Sequence, residues 1–244
     1  MDIFVLGSGG AVLPGHRFFT SILVRSGDTN VLIDAGSPIF KRLYDLGIEK
    51  LLPHYVFLSH YHIDHVEGIF TYLYDLEARG IKNTPIILTN ESTASKLKVA
   101  LGVFVKPSLH PEIIVFKDKS EEEIRINHLK IRFIPVKHSV PTHGIVIKDV
   151  SVDKSLFYSS DTLYMQELSS CIDKCDVGFH EATIPVELEE KAVEYGYHSS
   201  PRQALLALSK CKKKILIHLT TLSFKNPIGY KDYIAAEDGL VLKI

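Results

Sequence analysis

The chain has 244 residues, 45% hydrophobic and 23% charged, and its 28 Lys and Arg against 29 Asp and Glu leave a formal charge of −1. A protein whose main work is gripping long polyanions carries a basic excess, so this balance speaks against a polybasic nucleic-acid coat. The length suffices for a full core without staples, and no uninterrupted apolar run approaches a membrane span. The N-terminus, MDIFVLGSGG, reads directly as a strand, with no basic region leading an apolar one. The three cysteines, Cys171, Cys175 and Cys211, form no CxxC and are expected as reduced, packed thiols. A soluble, cytoplasmic protein that does not engage a membrane is expected.

In chain order, residues 3–6, 21–24 and 31–34 are short apolar runs punctuated by GSGG, SGDTN and DAGS, and read as strands. Residues 40–46 read as a short helix and 55–58 as a buried strand. A helix is predicted at about 66–78, stopping at Gly80. A strand at 86–88 and a helix at 91–101 follow. The second half repeats this grammar. Residues 124–126 and 130–134 alternate around an Asn-His turn like a hairpin, and 144–147 and 156–159 are the next strands. A helix around 163–170 precedes a strand at 177–179. The last helix, 201 to about 209, opens with Ser200-Pro201-Arg202-Gln203: a serine cap, proline at the first helical position and glutamine three residues after the cap. Strands at 215–217 and 240–244 close the chain. No Gly/Ser/Pro-rich linker divides the halves, so residues 1–244 read as one domain of two facing sheets with helices outside.

The segment LSHYHIDHVEG, residues 58–68, sets His60, His62, Asp64 and His65 at the end of an apolar strand. Alternation places His60, His62 and Asp64 on one side of an extended segment, and His65 turns round as the chain enters a helix. Imidazoles with a carboxylate suit zinc, and also manganese or iron. This geometry can feed two adjacent ions. A solvated histidine-rich loop would not lie between a buried strand and an amphipathic helix.

HxHxDH after a strand, in a chain of doubled strand–helix halves, resembles the metallo-β-lactamase superfamily. That resemblance implies an α/β fold, the four-layer αβ/βα sandwich, with two divalent metal ions along one edge. It also implies a third histidine, a bridging aspartate and a final histidine at strand ends, positions filled by His138, Asp161 and His218. On this reading His60, His62 and His138 hold one ion, Asp64, His65 and His218 the other, and Asp161 bridges them. His143 reads as a surface or rim residue, and His16, His54, His110 and His128 as structural.

HSVP at 138–141 followed by Gly144, HEAT at 180–183 and HSSPRQA at 198–204 resemble the ribonuclease Z group. The match gives His198 the role of protonating the leaving oxygen, with Glu181 orienting it. His198 also precedes a capped helix whose N–H groups favour an anion. The implied mechanism is attack on phosphorus by a water acidified by two metals, with Asp64 taking a proton.

The ribonuclease Z group grips tRNA with a glycine-rich, basic arm between the third histidine and the bridging aspartate. Here His138 to Asp161 spans 23 residues, and 148–154 is the only place for an insert. A small or cyclic phosphodiester is therefore the expected substrate. A tRNA 3′ end, and ester, lactone or thioester hydrolysis on the same metals, are the alternatives. Relatives in this branch commonly dimerise, and residues 70–76 offer an interface, with core packing as the equal alternative. GSGG at 7–10 reads as a hairpin rim. Lys210 and 212–214 read as a solvated helix end, and 121–123 and 187–190 as solvated acidic faces.

Overall fold

The computed structural model describes residues 1–12, 15–172, 175–223 and 232–244. The first half begins with the antiparallel strands β1 (Asp2–Gly7), β2 (Ser21–Ser26) and β3 (Thr29–Ile33). It continues in parallel through β4 (Tyr55–Leu58), β5 (Ile86–Asn90) and β6 (Ile113–Phe116). The second half repeats the plan. β7 (Glu122–Ile126), β8 (Leu129–Val136), β9 (Thr142–Asp149) and β10 (Lys154–Tyr158) are antiparallel, and β11 (Cys175–Glu181), β12 (Cys211–Ile217) and β13 (Ile234–Ala235) add in parallel. The last strand, β14 (Val241–Lys243), returns to the first sheet beside β1. Two seven-stranded sheets result, ordered β14-β1-β2-β3-β4-β5-β6 and β13-β12-β11-β10-β9-β8-β7.

Period-two alternation decides which side chains face which layer. Ile22, Val24, Val31 and Ile33 meet Ile131, Phe133, Ile145 and Phe179 between the sheets. Leu23, Leu32 and Val56 point the other way, beneath α1 (Ile39–Asp45), α2 (Ile63–Ala78) and α3 (Glu91–Phe104). On the far side, α4 (Leu168–Cys171) and α5 (Pro201–Ala207) cover Ile134, Phe157 and Leu216. The four-layer αβ/βα sandwich follows. In parallel sheets ligand crevices form at the carboxyl ends of strands, and here the ends of β3, β4, β10, β11 and β12 meet at one edge.

Several expectations need correction. α2 begins at Ile63 with His62 as its N-cap, so Asp64 occupies its first turn, beside His65, rather than an extended segment. The tight entry is possible because Gly68 lies against the Ser37 carbonyl, where a Cβ would collide. α4 is shorter than the predicted helix, and β6 and β13 were not foreseen. Lys212–Lys214 lie within β12. Glu189, in a short 3-10 turn (Val186–Lys191), accepts hydrogen bonds from Ser200 and Arg202 rather than standing free in solvent. Cys175 and Cys211 are register partners on neighbouring strands, 4.6 Å apart at Cα, and form a disulfide. That pairing, across 36 residues, replaces the reduced thiols expected there and removes cysteine usage as an argument for a reducing compartment. The side chain of Cys171 lies outside the described residues. No described helix is long and apolar enough to cross a membrane.

Candidate metal centre

Asp34, a buried carboxylate at φ 54°, directly follows β3. It accepts hydrogen bonds from the Ser59 backbone N–H (2.8 Å), the Ser59 hydroxyl (2.9 Å) and the Tyr158 hydroxyl (2.7 Å). His65 Nδ1 lies 2.7 Å from the same carboxylate and donates to it, which turns the Nε2 lone pair towards the strand ends. The sequence reading missed Asp34, whose only local signal is the DAGS punctuation.

Beyond β4, β8 and β10, the side chains of His60, His62, His138 and Asp161 converge, with ligand atoms within 4.8 Å of one another. His62 Nδ1 is 3.0 Å from His60 Nε2 and 3.2 Å from His138 Nε2. Asp64, His65, Asp161 and His218 form an adjoining group under the same limit. In it, His218 Nε2 stands 3.3 Å from His65 Nε2, 3.1 Å from Asp64 and 3.4 Å from Asp161. Ligands about 2.0–2.1 Å from a tetrahedral ion are roughly 3.3 Å apart, and these separations match. Asp161 belongs to both groups: its Oδ2 lies 3.3 Å from His65, 3.4 Å from His218 and 3.9 Å from both His60 and His138, and its Oδ1 is buried without a hydrogen-bond partner. A cation would satisfy that oxygen and the facing nitrogen lone pairs, so the donor set fits divalent metal.

The electrostatics agree with this fit except at His65: burial acts to lower it, but Asp161, Asp64 and Asp34 raise it well above the ordinary histidine range, and a bound cation would replace that proton. Burial, then His65, pushes His60 well below the ordinary histidine range, and burial takes His138 down to about 4. Neutral imidazole is the ligating form. Burial acts to raise Asp64, but His65 and His218 overcome it and hold the carboxyl at about 2. Asp161 is likewise held well down against burial, chiefly by His218 and His65.

A third cluster joins Glu181, His198 and His218. His198 Nδ1 donates to Glu181 Oε1 at 2.9 Å. Glu181 is itself fixed by the Thr162 N–H (3.0 Å), the Thr183 N–H (3.1 Å) and the Thr183 hydroxyl (2.7 Å). Burial acts to lower His198, but Glu181 and then Asp161 raise it to about 9. His218 Nδ1 meets the Thr183 hydroxyl at 2.8 Å, which leaves its Nε2 for the metal group. Thr183, the last letter of HEAT, is a second supporting residue the sequence reading passed over. His180 alternates away from Glu181 along β11 and donates from Nδ1 to the Glu181 carbonyl.

His143 is not at the rim. It is fully buried, lies 3.3 Å from the Ser120 carbonyl and meets the Phe116 ring edge-on at 4.8 Å. The pairing of β9 with β8 draws this position into the join between the two sheets. A cavity of about 160 Å³ has His62, Asp64, Asp161, His198 and His218 in its lining and Ile184, Pro185, Leu188, Tyr195 and Leu222 along its apolar side.

The sequence profile of the anti-Pycsar protein Apyc1 family matches residues 1–221. The chain belongs to that family. This Apyc1-family chain is 23% identical to the ribonuclease Z of Nanoarchaeum equitans (strain Kin4-M), over 97% of its own length and 91% of the relative's. That alignment runs over 291 positions, so the relative carries segments with no counterpart here. The fold superposes on the short form of human tRNase Z with a TM-score of 0.79 at 18% identity, covering 100% of this chain and 99% of the other. On the Bacillus subtilis metallo-β-lactamase fold protein YhfI the TM-score is 0.81 at 19% identity, covering 99% of each chain. The Apyc1-family chain is thus a ribonuclease Z-like member of the metallo-β-lactamase superfamily and a metal-dependent phosphodiesterase.

Proposed function

We propose that the chain acts, as one unit over residues 1–244, as a two-metal hydrolase of small or cyclic phosphodiesters. The observation that carries this reading is the sharing of Asp161 between two ligand groups, with His198, held by Glu181, beside them. His60, His62, His138 and Asp161 would hold one divalent ion, and Asp64, His65, His218 and Asp161 the other, with zinc favoured by the imidazole-rich donor set. Bound there, the ions supply the positive charge that acidifies a water and offsets charge building on the phosphoryl group.

Asp64 is ionised at neutral pH and accepts a hydrogen bond from the attacking water. A carboxylate this acidic is a weak base, so it orients the water before it takes the proton. The water oxygen forms the new P–O bond as the bond to the leaving oxygen breaks. His198, protonated below about 9, gives that oxygen its proton. Glu181 keeps the ring turned for the transfer through its 2.9 Å bond to Nδ1.

Substrate size is argued from what surrounds the centre. β9 and β10 are joined by residues 150–153 alone, which leaves no arm between His138 and Asp161. Among the described residues, the cavity over the centre has no Lys or Arg in its lining to grip a polyanion. The second reading, cleavage at a tRNA 3′ end, draws on the ribonuclease Z relatives. We also propose a homodimer across α2 and α3, where Tyr74, Val103 and Phe104 stand about 70% exposed, while Tyr72, Leu73 and Leu76 of the same stretch belong to the core. Sedimentation of Phe104→Asp beside the wild type tests the dimer, which should dissociate.

The substrate test is a panel on zinc-loaded protein: bis-p-nitrophenyl phosphate, cyclic nucleotides, a precursor tRNA and a lactone. Turnover of the small phosphodiesters without tRNA cleavage is expected. Faster cleavage of the precursor would install the second reading. Lactone turnover with no phosphodiester turnover would overturn both.

A further inference from the structure

Residues 232–244 form a strap between the two sheets. β13 pairs with β12 in the second sheet, and β14 pairs with β1 in the first. At the crossing stands Asp238. Its Oδ1 accepts hydrogen bonds from the Ser8 N–H and the Ser8 hydroxyl, both at 2.8 Å, and its Oδ2 accepts from the Phe18 N–H at 2.8 Å. One carboxylate therefore ties together the two arms of the loop that follows β1.

That loop is the seat of His218. The Leu219 N–H donates to the Ser8 carbonyl (2.9 Å), and the Gly10 N–H donates to the Leu219 carbonyl (3.1 Å). Gly10 faces the imidazole so closely that a Cβ there would lie 2.7 Å from Cε1 and Nδ1. His218 itself sits at φ 57°, a conformation that persists only where its surroundings hold it. The family match ends at residue 221, ahead of the strap.

We infer that Asp238 is a positioning residue for the second metal pocket, acting through Ser8 and Gly10 to hold His218 in its ligating pose. The inference rests on the two-ion reading above. Partners behind a metal ligand set its orientation, and their loss typically weakens metal binding roughly 10- to 100-fold.

Metal-free protein titrated with zinc against a chromophoric chelator tests this. Wild type should take up two equivalents. Asp238→Ala should weaken one of them by roughly 10- to 100-fold, the same one that His218→Ala weakens, and leave the other unchanged. Asp238→Asn should fall between, because one oxygen still accepts from Ser8. Glu237→Ala, which removes only the exposed contacts to Arg17 and His16, should bind as wild type. If Asp238→Ala does not fold, Ser8→Ala, which removes one of the three hydrogen bonds to that carboxylate, should weaken the same equivalent to a smaller degree. Two equivalents in the wild type, both kept at full affinity or both weakened alike in these variants, would overturn the strap's role alone. One equivalent in the wild type would overturn the two-ion reading itself.

Discussion

The two ligand groups proposed as metal pockets share Asp161 but are supported differently. In the first, His60 Nδ1 lies 3.0 Å from the hydroxyl of its neighbour Ser59, and His138 Nδ1 lies 3.3 Å from the Tyr197 carbonyl. His62 is only half-buried. In the second, His65 leans on the Asp34 carboxylate, His218 on Thr183 and the glycine loop, and Asp64 adds a second negative charge. All four of its side chains are buried. Carboxylate-backed imidazoles are more basic and better fixed ligands. The second pocket should therefore bind its ion more tightly and release it to a chelator last, while the open first pocket is the side that exchanges with solvent.

The sharpest way to break this comparison is to remove what the pockets share. Asp161→Ala should lose both ions and reduce phosphodiester hydrolysis to background, measured by metal content and turnover. An active, metal-replete variant would sink the bridging role. Next in size is His198→Gln. General acid catalysis contributes on the order of 10²–10⁴, so the rate should fall by about that range with both ions retained.

The pH profile adds a signature of its own. The folded-state value for His198, about 9, lies above the ordinary 6.5, so the proton is in place at neutral pH and is lost as pH rises through about 9. Wild-type rate should decline across that limb, and the decline should be absent in His198→Gln. The same sign governs stability without metal. The pairing with Glu181 contributes fully below about 6.5 and is lost as pH rises through about 9.

A smaller and more selective change is Asp34→Asn. It should weaken the second ion by roughly 10- to 100-fold and leave the first nearly untouched, as read by zinc titration. Equal loss at both pockets would mean that Asp34 supports the edge as a whole. Smallest is Ser59→Ala, which removes one of four hydrogen bonds to Asp34 and the neighbour of His60. A single such bond contributes about 1 kcal/mol, so a modest drop in thermal stability with near-normal metal uptake is expected.

The residues legible in the sequence were those packed into local signatures. His60 to His65 lie within one strand-to-helix turn, and His138, Asp161 and His218 each follow an apolar run. Ser200-Pro201-Arg202-Gln203 marked a helix start that the structure bears out as a full capping box. What escaped notice was held together across long separations. Asp34 meets Tyr158 from 124 residues away, and Asp238 meets Ser8 from 230. Neither aspartate stands in a run that alternation or periodicity would single out. The Cys175–Cys211 bond depends on the register of two parallel strands, which spacing alone does not reveal. His143 was misread for a related reason. A histidine before a strand looks peripheral until the pairing of β9 with β8 draws it inward. The entry to α2 was placed late because the HxHxDH run also fits alternation, whereas the helix begins at Ile63 and Gly68 lets it pack against the Ser37 carbonyl.

The most direct test of a two-ion centre with unequal pockets is an anomalous difference map from zinc-soaked crystals, repeated after brief exposure to chelator. The account predicts two peaks flanking Asp161, of which the one among His60, His62 and His138 fades first. A single peak, or first loss of the ion among Asp64, His65 and His218, would contradict it.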